Sequence, residues 1–425
     1  MMELINYPPK ENWNTILKRP SIDLKELEFN VSSILDDVKA NGDKAVKRYA
    51  LQFDKVTLNS FQVSAEEISA SENEISSELK AAIIQAKTNI QKFHTSQKEE
   101  IKIVETIPGV KCWRKNVAIE KVGLYIPGGS APLFSTVLML GVPATLAGCK
   151  EIILCTPCDT TGKVNAAILF AVKLCGIKTI FKIGGVQAIA AMAYGTESVS
   201  KVYKIFGPGN QYVTCAKQLV NKEGIAIDMP AGPSEVAIIA DDSCEPAFVA
   251  ADLLSQAEHG EDSQVILVSD SKTVIEKTLV ELEIQLKQLT RSSIAQKALK
   301  NSKAILVNSL EEGMELLNDY APEHLIIACK NYEGLSQKVI NAGSVFLGNY
   351  SCESAGDYAS GTNHTLPTNG YAKAYSGVSL DSFVKKITFQ NLSKEGLQNI
   401  GNTIELMAEA EGLNAHKNAV TIRLK

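Results

Sequence analysis

The sequence predicts an α/β protein with two tandem, doubly wound, incomplete Rossmann-like domains. Short β-rich runs alternate with amphipathic helical segments from Val122 onward, and a second alternation starts at Glu235. The link between the two series, MPAGPS (229–234), is rich in Pro and Gly. Alternating strands and helices are typical of parallel sheets covered by helices, and such a link marks a domain boundary.

Each series contains recognisable strands and helices. In the first, the strand-like runs are GLYIP, EIILCTP, KTIFKIGG and KVYKIFG, separated by helical runs such as VNAAILFAVKLCG. In the second, they are EVAIIAD, QVILVSD, KAILVN, HLIIAC and VFLG. Ligands of doubly wound folds bind beyond the carboxyl ends of the strands, so we expect most functional residues there.

The two ends of the chain differ from these series. Residues 1–22 are polar and Pro-containing, which predicts an arm, and the segment from Ile22 to Gln97 has the apolar spacing of helices. The tail from about Asp381 also has a helical pattern. We therefore predict four parts: an arm (1–22), a discontinuous first α/β domain (23–124 plus 234–379), a second α/β domain (125–233) and a small helical C-terminal segment (380–425).

Composition excludes several classes of protein. A net charge of −5 argues against nucleic-acid or membrane-surface binding. The most apolar segment, Ser135–Cys149, contains Gly and Pro and is shorter than the roughly 20 residues that span a bilayer. Nine cysteines, an odd number, favour a reducing, cytoplasmic location. The lone C-x-x-C, Cys155–Cys158, is better explained as two half-buried thiols than as a metal or redox site.

Three glycine turns follow predicted strands: PGGS (127–130), GGVQ (184–187) and GPGN (207–210). Such turns let a phosphate approach the backbone at the start of a helix. None completes the dinucleotide fingerprint, since Tyr212 stands where a third glycine belongs after GPG. A bound dinucleotide would therefore use an incomplete version of the usual site.

Three of the five histidines lie near possible metal ligands. Gln256 and His259 are three residues apart at the end of a predicted helix, which places both on one face. Asp357 and His364 share one loop, and His416 lies near the C-terminus. Nitrogen and oxygen donors of this kind suit Zn²⁺ or Mn²⁺, although single histidines are more often structural.

The dipeptide Glu323-His324 (YAPEHL) lies where a loop meets a strand, and both residue types suit acid–base chemistry near neutral pH. Side chains of neighbours on an extended backbone diverge, so the two need not touch. A surface carboxylate beside a capping imidazole is the competing interpretation. The fifth histidine, His94, lies in the polar helical run QKFHTSQKEE and is expected at the surface.

Several ordered motifs give the chain a clear resemblance to the histidinol dehydrogenase family, from about Val31 to Arg423. They are GLYIPGGSAPLFSTVLMLGVPA, IGGVQAIAAMAYGT, FGPGNQYV, IDMPAGPSEV, LLSQAEHG, YAPEHL, GDYASGTNHTLPT and EGLNAHKNA. The resemblance implies oxidation of L-histidinol through L-histidinal to L-histidine, the last step of histidine biosynthesis, with two NAD⁺ reduced in turn. It also implies one Zn²⁺ per subunit, with Mn²⁺ as a substitute.

The resemblance also implies roles for individual residues. The zinc ligands are Gln256, His259, Asp357 and His416; the acid–base pair is Glu323 and His324; and the NAD contacts are Tyr125, Gln187 and Asn210. Substrate contacts are Ser234, Glu411 and His364 together with Gln256, His259, His324, Asp357 and His416. The implied assembly is a homodimer with shared active sites, in which segment 380–425 reaches the partner.

These implications lead to a mechanistic hypothesis. His324 is the predicted base for the alcohol proton, because neutral imidazole is abundant near pH 7, and Glu323 is predicted to activate the water that hydrates the aldehyde. A nucleophilic cysteine, Cys112 or Cys149, is the less favoured route. The alternatives are a related zinc/NAD dehydrogenase acting on another amino alcohol or a sulfonated diol, and a non-catalytic metabolite-binding homologue.

Overall fold

The computed structural model of the chain describes residues 2–20, 24–128 and 132–425. Two parallel sheets and one small antiparallel sheet account for its strands. The strands in these ranges are β1 (Glu3–Asn6), β2 (Ile103–Ile107), β3 (Val110–Ala118), β4 (Lys121–Tyr125), β5 (Glu151–Thr156), β6 (Thr179–Lys182), β7 (Lys204–Phe206), β8 (Ala226–Ile227), β9 (Glu235–Ala240), β10 (Gln264–Ser269), β11 (Lys303–Leu306), β12 (His324–Ala328), β13 (Ser344–Leu347) and β14 (Val384–Leu392).

The helices cover the two parallel sheets or form the C-terminal hairpin. Within the same ranges they are α1 (Trp13–Ile16), α2 (Leu24–Tyr49), α3 (Ala65–Ala70), α4 (Ser77–Thr95), α5 (Phe134–Ala147), α6 (Ala166–Cys175), α7 (Gly185–Tyr194), α8 (Gln211–Lys222), α9 (Pro246–Ala257), α10 (Lys272–Leu286), α11 (Ser292–Lys300), α12 (Leu310–Tyr320), α13 (Tyr332–Ser336), α14 (Glu353–Tyr358), α15 (Lys394–Ala410) and α16 (Asn414–Leu424). None of these described helices combines the length and apolar character required to cross a bilayer.

Both parallel sheets are doubly wound, as predicted. The five-stranded sheet has the order β6-β5-β4-β7-β8, and the six-stranded sheet has the order β1-β11-β10-β9-β12-β13. Each sheet has one apolar core on each face, because successive side chains of a strand point to opposite sides. Leu124 and Tyr125 of β4 thus belong to different cores, as do Ile238 and Ile239 of β9.

The N-terminal residues are part of the six-stranded sheet, whereas the sequence predicted a separate arm over 1–22. Strand β1 pairs in parallel with β11, and Trp13 and Leu17 are buried in the core beneath the sheet. The Trp13 indole N–H donates to the Pro8 carbonyl at 3.1 Å. Pro8 therefore belongs to a packed turn. Residues 1, 21 and 22 of the predicted arm lie outside the described ranges.

The helical region 24–95 covers the five-stranded sheet, although it was predicted to form one domain with 234–379. Val31 of α2 shares a core with Ile189 of α7, and Ile90 of α4 shares a core with Leu138 of α5. Strand β4 also belongs to the five-stranded sheet, so this unit begins before the predicted boundary at residue 125. Sequence order does not show which sheet an amphipathic helix covers, because either apolar surface can accept it.

A third sheet precedes the C-terminal hairpin. Strand β14 pairs antiparallel with β3 over nine residues, and β3 pairs with β2. The tail was expected to be helical from about Asp381, but its first part is this strand, and helix α15 begins only after Ser393, whose hydroxyl caps it by accepting from the Gly396 N–H. Helices α15 and α16 then pack against each other.

Candidate active site

The candidate residues lie at the carboxyl ends of the strands in one parallel sheet and at the amino ends in the other. Tyr125 ends β4, and Gln187 and Asn210 follow β6 and β7, so these three are at carboxyl ends of strands, as expected. In the six-stranded sheet, however, Ser234 precedes β9 and His324 is the first residue of β12. The carboxyl-end expectation is therefore wrong for this sheet, where the candidates lie at the amino ends.

His364 connects the two groups of residues. Its Nε2 lies 3.1 Å from Oγ1 of Thr136, in the first turn of α5, and its Nδ1 lies 2.9 Å from the carbonyl oxygen of Asp357. A carbonyl only accepts, so Nδ1 donates to it; burial lowers the pKa of His364, and the neutral ring can accept from Thr136 through Nε2. His364 thus links Asp357 of α14 to the start of α5, which covers the five-stranded sheet.

His324 is buried at the centre of the second group. Its Nδ1 lies 3.2 Å from the Glu235 carbonyl oxygen, 3.7 Å from Glu323 Oε2 and 3.8 Å from Glu353 Oε1. Its Nε2 has no hydrogen-bond partner in the described part of the chain, and Asp357 Oδ1 is 3.5 Å away. Because the Glu235 carbonyl holds a proton on Nδ1, the lone pair of the neutral ring is on Nε2.

Glu323 is a buried carboxyl with two donors. Its Oε2 accepts from the Glu235 N–H at 2.9 Å and from Gln256 Nε2 at 3.3 Å. Burial raises the pKa of Glu323 to about 8, although neighbouring His324 and the Glu235 N–H lower it. A carboxyl with such a pKa exists in both protonation states near neutral pH, as an acid–base catalyst requires.

Three carboxyl groups determine the charge of His324. Burial by itself lowers the pKa of this imidazole, but Glu353, Glu323 and Asp357 outweigh burial and raise the pKa to about 10. Protein residues alone therefore favour the charged ring, whereas a neutral ring was expected from the sequence. A divalent cation held by the same carboxylates would oppose their field and favour the neutral ring.

A group able to hold a metal ion lies beside His324. One ligand atom each from His259, Glu353 and Asp357 lies within 4.8 Å of the others. His259 is the exposed member of the group, and partial desolvation lowers its pKa, which favours the neutral, ligating imidazole. Burial disfavours ionised Asp357, but His324 outweighs burial and lowers its pKa. Oxygen and nitrogen donors of this kind suit Zn²⁺ or Mn²⁺.

The other two predicted zinc ligands, Gln256 and His416, differ in burial. Gln256 is buried on α9, and its Oε1 has no hydrogen-bond partner in the described ranges. His416, by contrast, is exposed on α16, and Glu411 is exposed at the end of α15. Within the described residues, no hydrogen bond or ion pair joins His416 or Glu411 to the other candidates. A single chain therefore does not assemble all of the predicted site.

Glu353 is a ligand-type residue that was not predicted from the sequence. It is buried, accepts from the Ser255 hydroxyl at 3.3 Å, and has a pKa that burial raises. A signal was present, because Glu353 and Asp357 are four residues apart and an α-helix places such residues on one face. Ser234 is half-buried, and its carbonyl accepts from the Gln264 N–H at 3.2 Å.

The turn at Gly185 is tied to the end of β4. The Tyr125 hydroxyl accepts from the Gly185 N–H at 3.0 Å, and burial raises the pKa of Tyr125 to about 12. Gln187, just beyond, is buried, and its Oε1 has no hydrogen-bond partner among the described residues. An unpartnered buried acceptor in the first turn of α7 is consistent with a ligand site.

Asn210 caps the helix that follows β7. Its Oδ1 accepts from the N–H groups of Tyr212 and Val213, both at 3.1 Å, which leaves its amide NH₂ free to donate. Gly207, at the start of this turn, has φ +133°, and a Cβ there would lie 2.1 Å from the Tyr125 carbonyl oxygen. Of the third glycine turn, Gly129 and Ser130 lie outside the described ranges.

The thiols of Cys149 and Cys155 are not activated. Burial raises the pKa of Cys149 to about 11 and raises that of Cys155 further. Cys112 lies on β3 of the third sheet, whereas the candidate site residues described above lie at the two parallel sheets. Cys155 is fully buried rather than half-buried, Cys158 is half-buried, and both are free thiols.

Comparison with known proteins identifies the family. The sequence model for histidinol dehydrogenase matches residues 17–424. The chain is 62% identical to a histidinol dehydrogenase of Bacteroides fragilis, covering 100% of this chain and 99% of that protein. It is 52% identical to the enzyme of Escherichia coli strain K12, covering 97% and 95%. The chain belongs to the histidinol dehydrogenase family.

A solved structure agrees with this assignment. A crystal structure of histidinol dehydrogenase from Elizabethkingia anophelis has a TM-score of 0.98 and 58% sequence identity, covering 100% of this chain and 98% of that one. The predicted family, α/β fold and oxidoreductase class are therefore confirmed. The roles of individual residues in this histidinol dehydrogenase family member stay predictions.

Proposed function

We propose that this chain oxidises L-histidinol through L-histidinal to L-histidine, the last step of histidine biosynthesis, with two NAD⁺ as hydride acceptors. The observation that carries the proposal is the joint placement of an acid–base pair and a metal-capable group. Glu323 and His324 lie beside the group of His259, Glu353 and Asp357, and His364 links Asp357 to Thr136 in the first turn of α5, the helix that follows β4.

The donor set fits a zinc ion, for which manganese can substitute. Buried Gln256 Oε1 and Asp357 Oδ1 accept no hydrogen bond within the described residues, so their lone pairs are available. With His259 they supply three of the four predicted ligands, and Glu353 lies close enough to contribute. His416 of the partner subunit would complete the set. When bound, the ion would hold the imidazole and amine nitrogens of histidinol in place.

The chain's own residues divide the acid–base work. His324 Nε2 accepts the hydroxyl proton while the first hydride leaves the alcohol carbon. Glu323 then removes a proton from the water that adds to the aldehyde, and the second hydride leaves the resulting hydrate. Water thus supplies the second carboxylate oxygen. The role of His324 requires a neutral ring at the first step, which a divalent cation held by Glu353 and Asp357 would favour.

We propose that NAD⁺ binds at the carboxyl ends of the strands of the five-stranded sheet. Tyr125 and Gln187 flank the Gly185 turn, and Asn210 presents its amide at the start of α8. The substrate contacts are proposed to be Ser234 and His364 with the metal-capable group, and Glu411 from the partner. His364 is the best placed of these, because its ring nitrogens contact both the Asp357 carbonyl and the Thr136 hydroxyl.

We also propose a cytoplasmic homodimer with shared active sites. The C-terminal hairpin exposes Leu406, Met407 and Ile422 near Glu411 and His416. Several exposed apolar side chains on one helical hairpin are typical of an interface. All nine cysteines are free thiols, as in a reducing compartment.

The function is tested by following NADH absorbance with zinc-loaded protein. We expect two NADH per L-histidinol, loss of the signal with a chelator, and its return with added Zn²⁺. Other amino alcohols and sulfonated diols serve as competing substrates. No NADH from histidinol, or faster turnover of one of the competitors, would contradict the proposal.

A further inference from the structure

Arg19 and Glu235 form a bidentate ion pair beneath the candidate acid–base residues. Arg19 Nε donates to Glu235 Oε1 at 2.5 Å, and Nη2 donates to Oε2 at 2.9 Å. Only 18% of the Arg19 side chain and 2% of the Glu235 side chain are exposed. A bidentate pair fixes the relative orientation of its partners as well as supplying attraction. The carboxylate of Glu235 is thus held in one position.

Arg19 is itself immobilised by helix α12. Its guanidinium lies 4.0 Å from the centre of the Tyr320 ring, and Nη2 also donates to the Tyr320 carbonyl at 2.7 Å. The Tyr320 hydroxyl donates to Gln264 Oε1 at 2.9 Å, and Gln264 Nε2 donates back to the Lys18 carbonyl at 3.2 Å. This closed ring of contacts fastens the segment before residue 20 to the sheet.

The main chain of Glu235 contacts both acid–base residues. Its N–H donates to Glu323 Oε2 at 2.9 Å, and its carbonyl accepts from His324 Nδ1 at 3.2 Å. The N–H orients the carboxylate, and the carbonyl fixes which imidazole nitrogen carries the proton. The N–H of Asn369 donates to Glu235 Oε1 at 2.8 Å, which ties a second loop to the same carboxylate.

We propose that Arg19 and Glu235 are positioning residues for the acid–base pair. Their ion pair fixes the first residue of β9, whose N–H and carbonyl orient Glu323 and set the tautomer of His324. This inference rests on the proposed roles of Glu323 and His324. A misplacement of about 1 Å can reduce a rate roughly 100-fold, so the effect belongs in kcat rather than in the KM for NAD⁺.

The test compares Arg19→Met, Arg19→Lys and Glu235→Gln in the zinc-loaded enzyme. We expect Arg19→Met to reduce kcat about 10- to 100-fold with the KM for NAD⁺ unchanged. Arg19→Lys keeps the charge but loses the bidentate contact, so its kcat should be intermediate. Lys303→Met is the matched control, because Lys303 pairs with Glu3 of the N-terminal segment and its side chain is 19% exposed.

Several outcomes would overturn the proposal. Wild-type kcat in both Arg19 variants would do so, and so would an equal loss in Lys303→Met, which would indicate general loosening of the N-terminal segment. Thermal melting identifies any variant that does not fold; if Arg19→Met fails, Arg19→Lys and Glu235→Gln decide the question. A wild-type enzyme inactive towards histidinol would instead defeat the proposed function, and the two failures are therefore distinguishable.

Discussion

Lys217 and Asp228 form a buried ion pair that holds Gly207 from both sides. Lys217 Nζ donates to the Gly207 carbonyl at 2.8 Å, and Asp228 Oδ2 accepts from the Gly207 N–H at 2.8 Å. Their side chains are only 4% and 1% exposed. The turn that leads to Asn210 therefore depends on two charges supplied by α8 and by the residue after β8.

Removing one of these charges leaves the other buried without a partner. We expect Lys217→Met to lower the free energy of unfolding by about 3–5 kcal/mol and to raise the KM for NAD⁺. Denaturant unfolding and steady-state kinetics measure the two effects. Lys150→Met is the control, because the Lys150–Glu120 pair is largely exposed and such pairs contribute about 0–1 kcal/mol. If folded Lys217→Met has an unchanged KM for NAD⁺, the Gly207 turn does not contribute to the cofactor site.

Glu353 should strengthen metal binding although the sequence did not single it out. Glu353→Gln replaces an anionic donor beside His259 and Asp357 by a neutral one, and we expect zinc affinity to fall about 10- to 100-fold. Competition with a chromophoric chelator measures the affinity. Glu258→Gln, adjacent to His259 but outside the group, is the matched control. Equal zinc affinities for Glu353→Gln and the wild type would remove Glu353 from the site.

Glu323→Gln separates the two oxidation steps. The amide still accepts from the Glu235 N–H but cannot take a proton from water, so histidinal oxidation should slow about 10²- to 10⁴-fold while histidinol oxidation is less affected. Each half-reaction is assayed with its own substrate. His324→Gln should impair the alcohol step instead. Equal survival of both half-reactions in Glu323→Gln would show that Glu323 does not activate the water.

A shared active site predicts that two inactive variants complement each other. Unfolded and refolded together, His259→Asn and His416→Asn should recover about a quarter of wild-type activity, because half of the dimers are mixed and one of their two sites is intact. The control mixture, His259→Asn with Asp357→Asn, carries both defects in the same group and should recover none. Failure of the first mixture to exceed the second would place His416 outside the partner's site.

The sequence predicted the parts of the fold that depend on local patterns. Apolar runs identified the strands of both parallel sheets except β1 and β8. What depends on contacts through space was not predictable in this way. The cover of the five-stranded sheet by α2 and α4, and the amino-end position of His324, follow from packing between distant segments.

The same limit applies within the site. Residue type made His324 a candidate, but its three carboxylate neighbours come from positions as far apart as 323 and 357. Arg19 lies 216 positions from Glu235, so no spacing rule connects them. Strand β14 was taken for the start of a helix because its partner, β3, is remote in sequence and supplies the hydrogen bonds. Glu353 is different, since its four-residue spacing from Asp357 was visible.

His94 was expected at the surface but is fully buried, because α4 packs against α5 and the loop that carries His364. Its Nδ1 donates to the Ile90 carbonyl at 2.9 Å, and its Nε2 lies 3.3 Å from the Asn363 amide, which also donates to the Met139 carbonyl. The carbonyl accepts, so Nδ1 is protonated and Nε2 accepts from Asn363. The neutral ring therefore ties α4 to the residue before His364.

This burial predicts a pH dependence of stability. Burial lowers the pKa of His94 below that of the unfolded chain, although the Ile90 carbonyl opposes the shift. As the pH falls below about 6.5, the unfolded state binds a proton that the folded state resists, so stability is lost at up to about 1.4 kcal/mol per pH unit. In His94→Gln, which keeps an acceptor for Asn363, the free energy of unfolding should fall less steeply between about pH 6.5 and 5. Denaturant unfolding at several pH values measures the slopes; identical slopes would mean that His94 becomes protonated without unfolding.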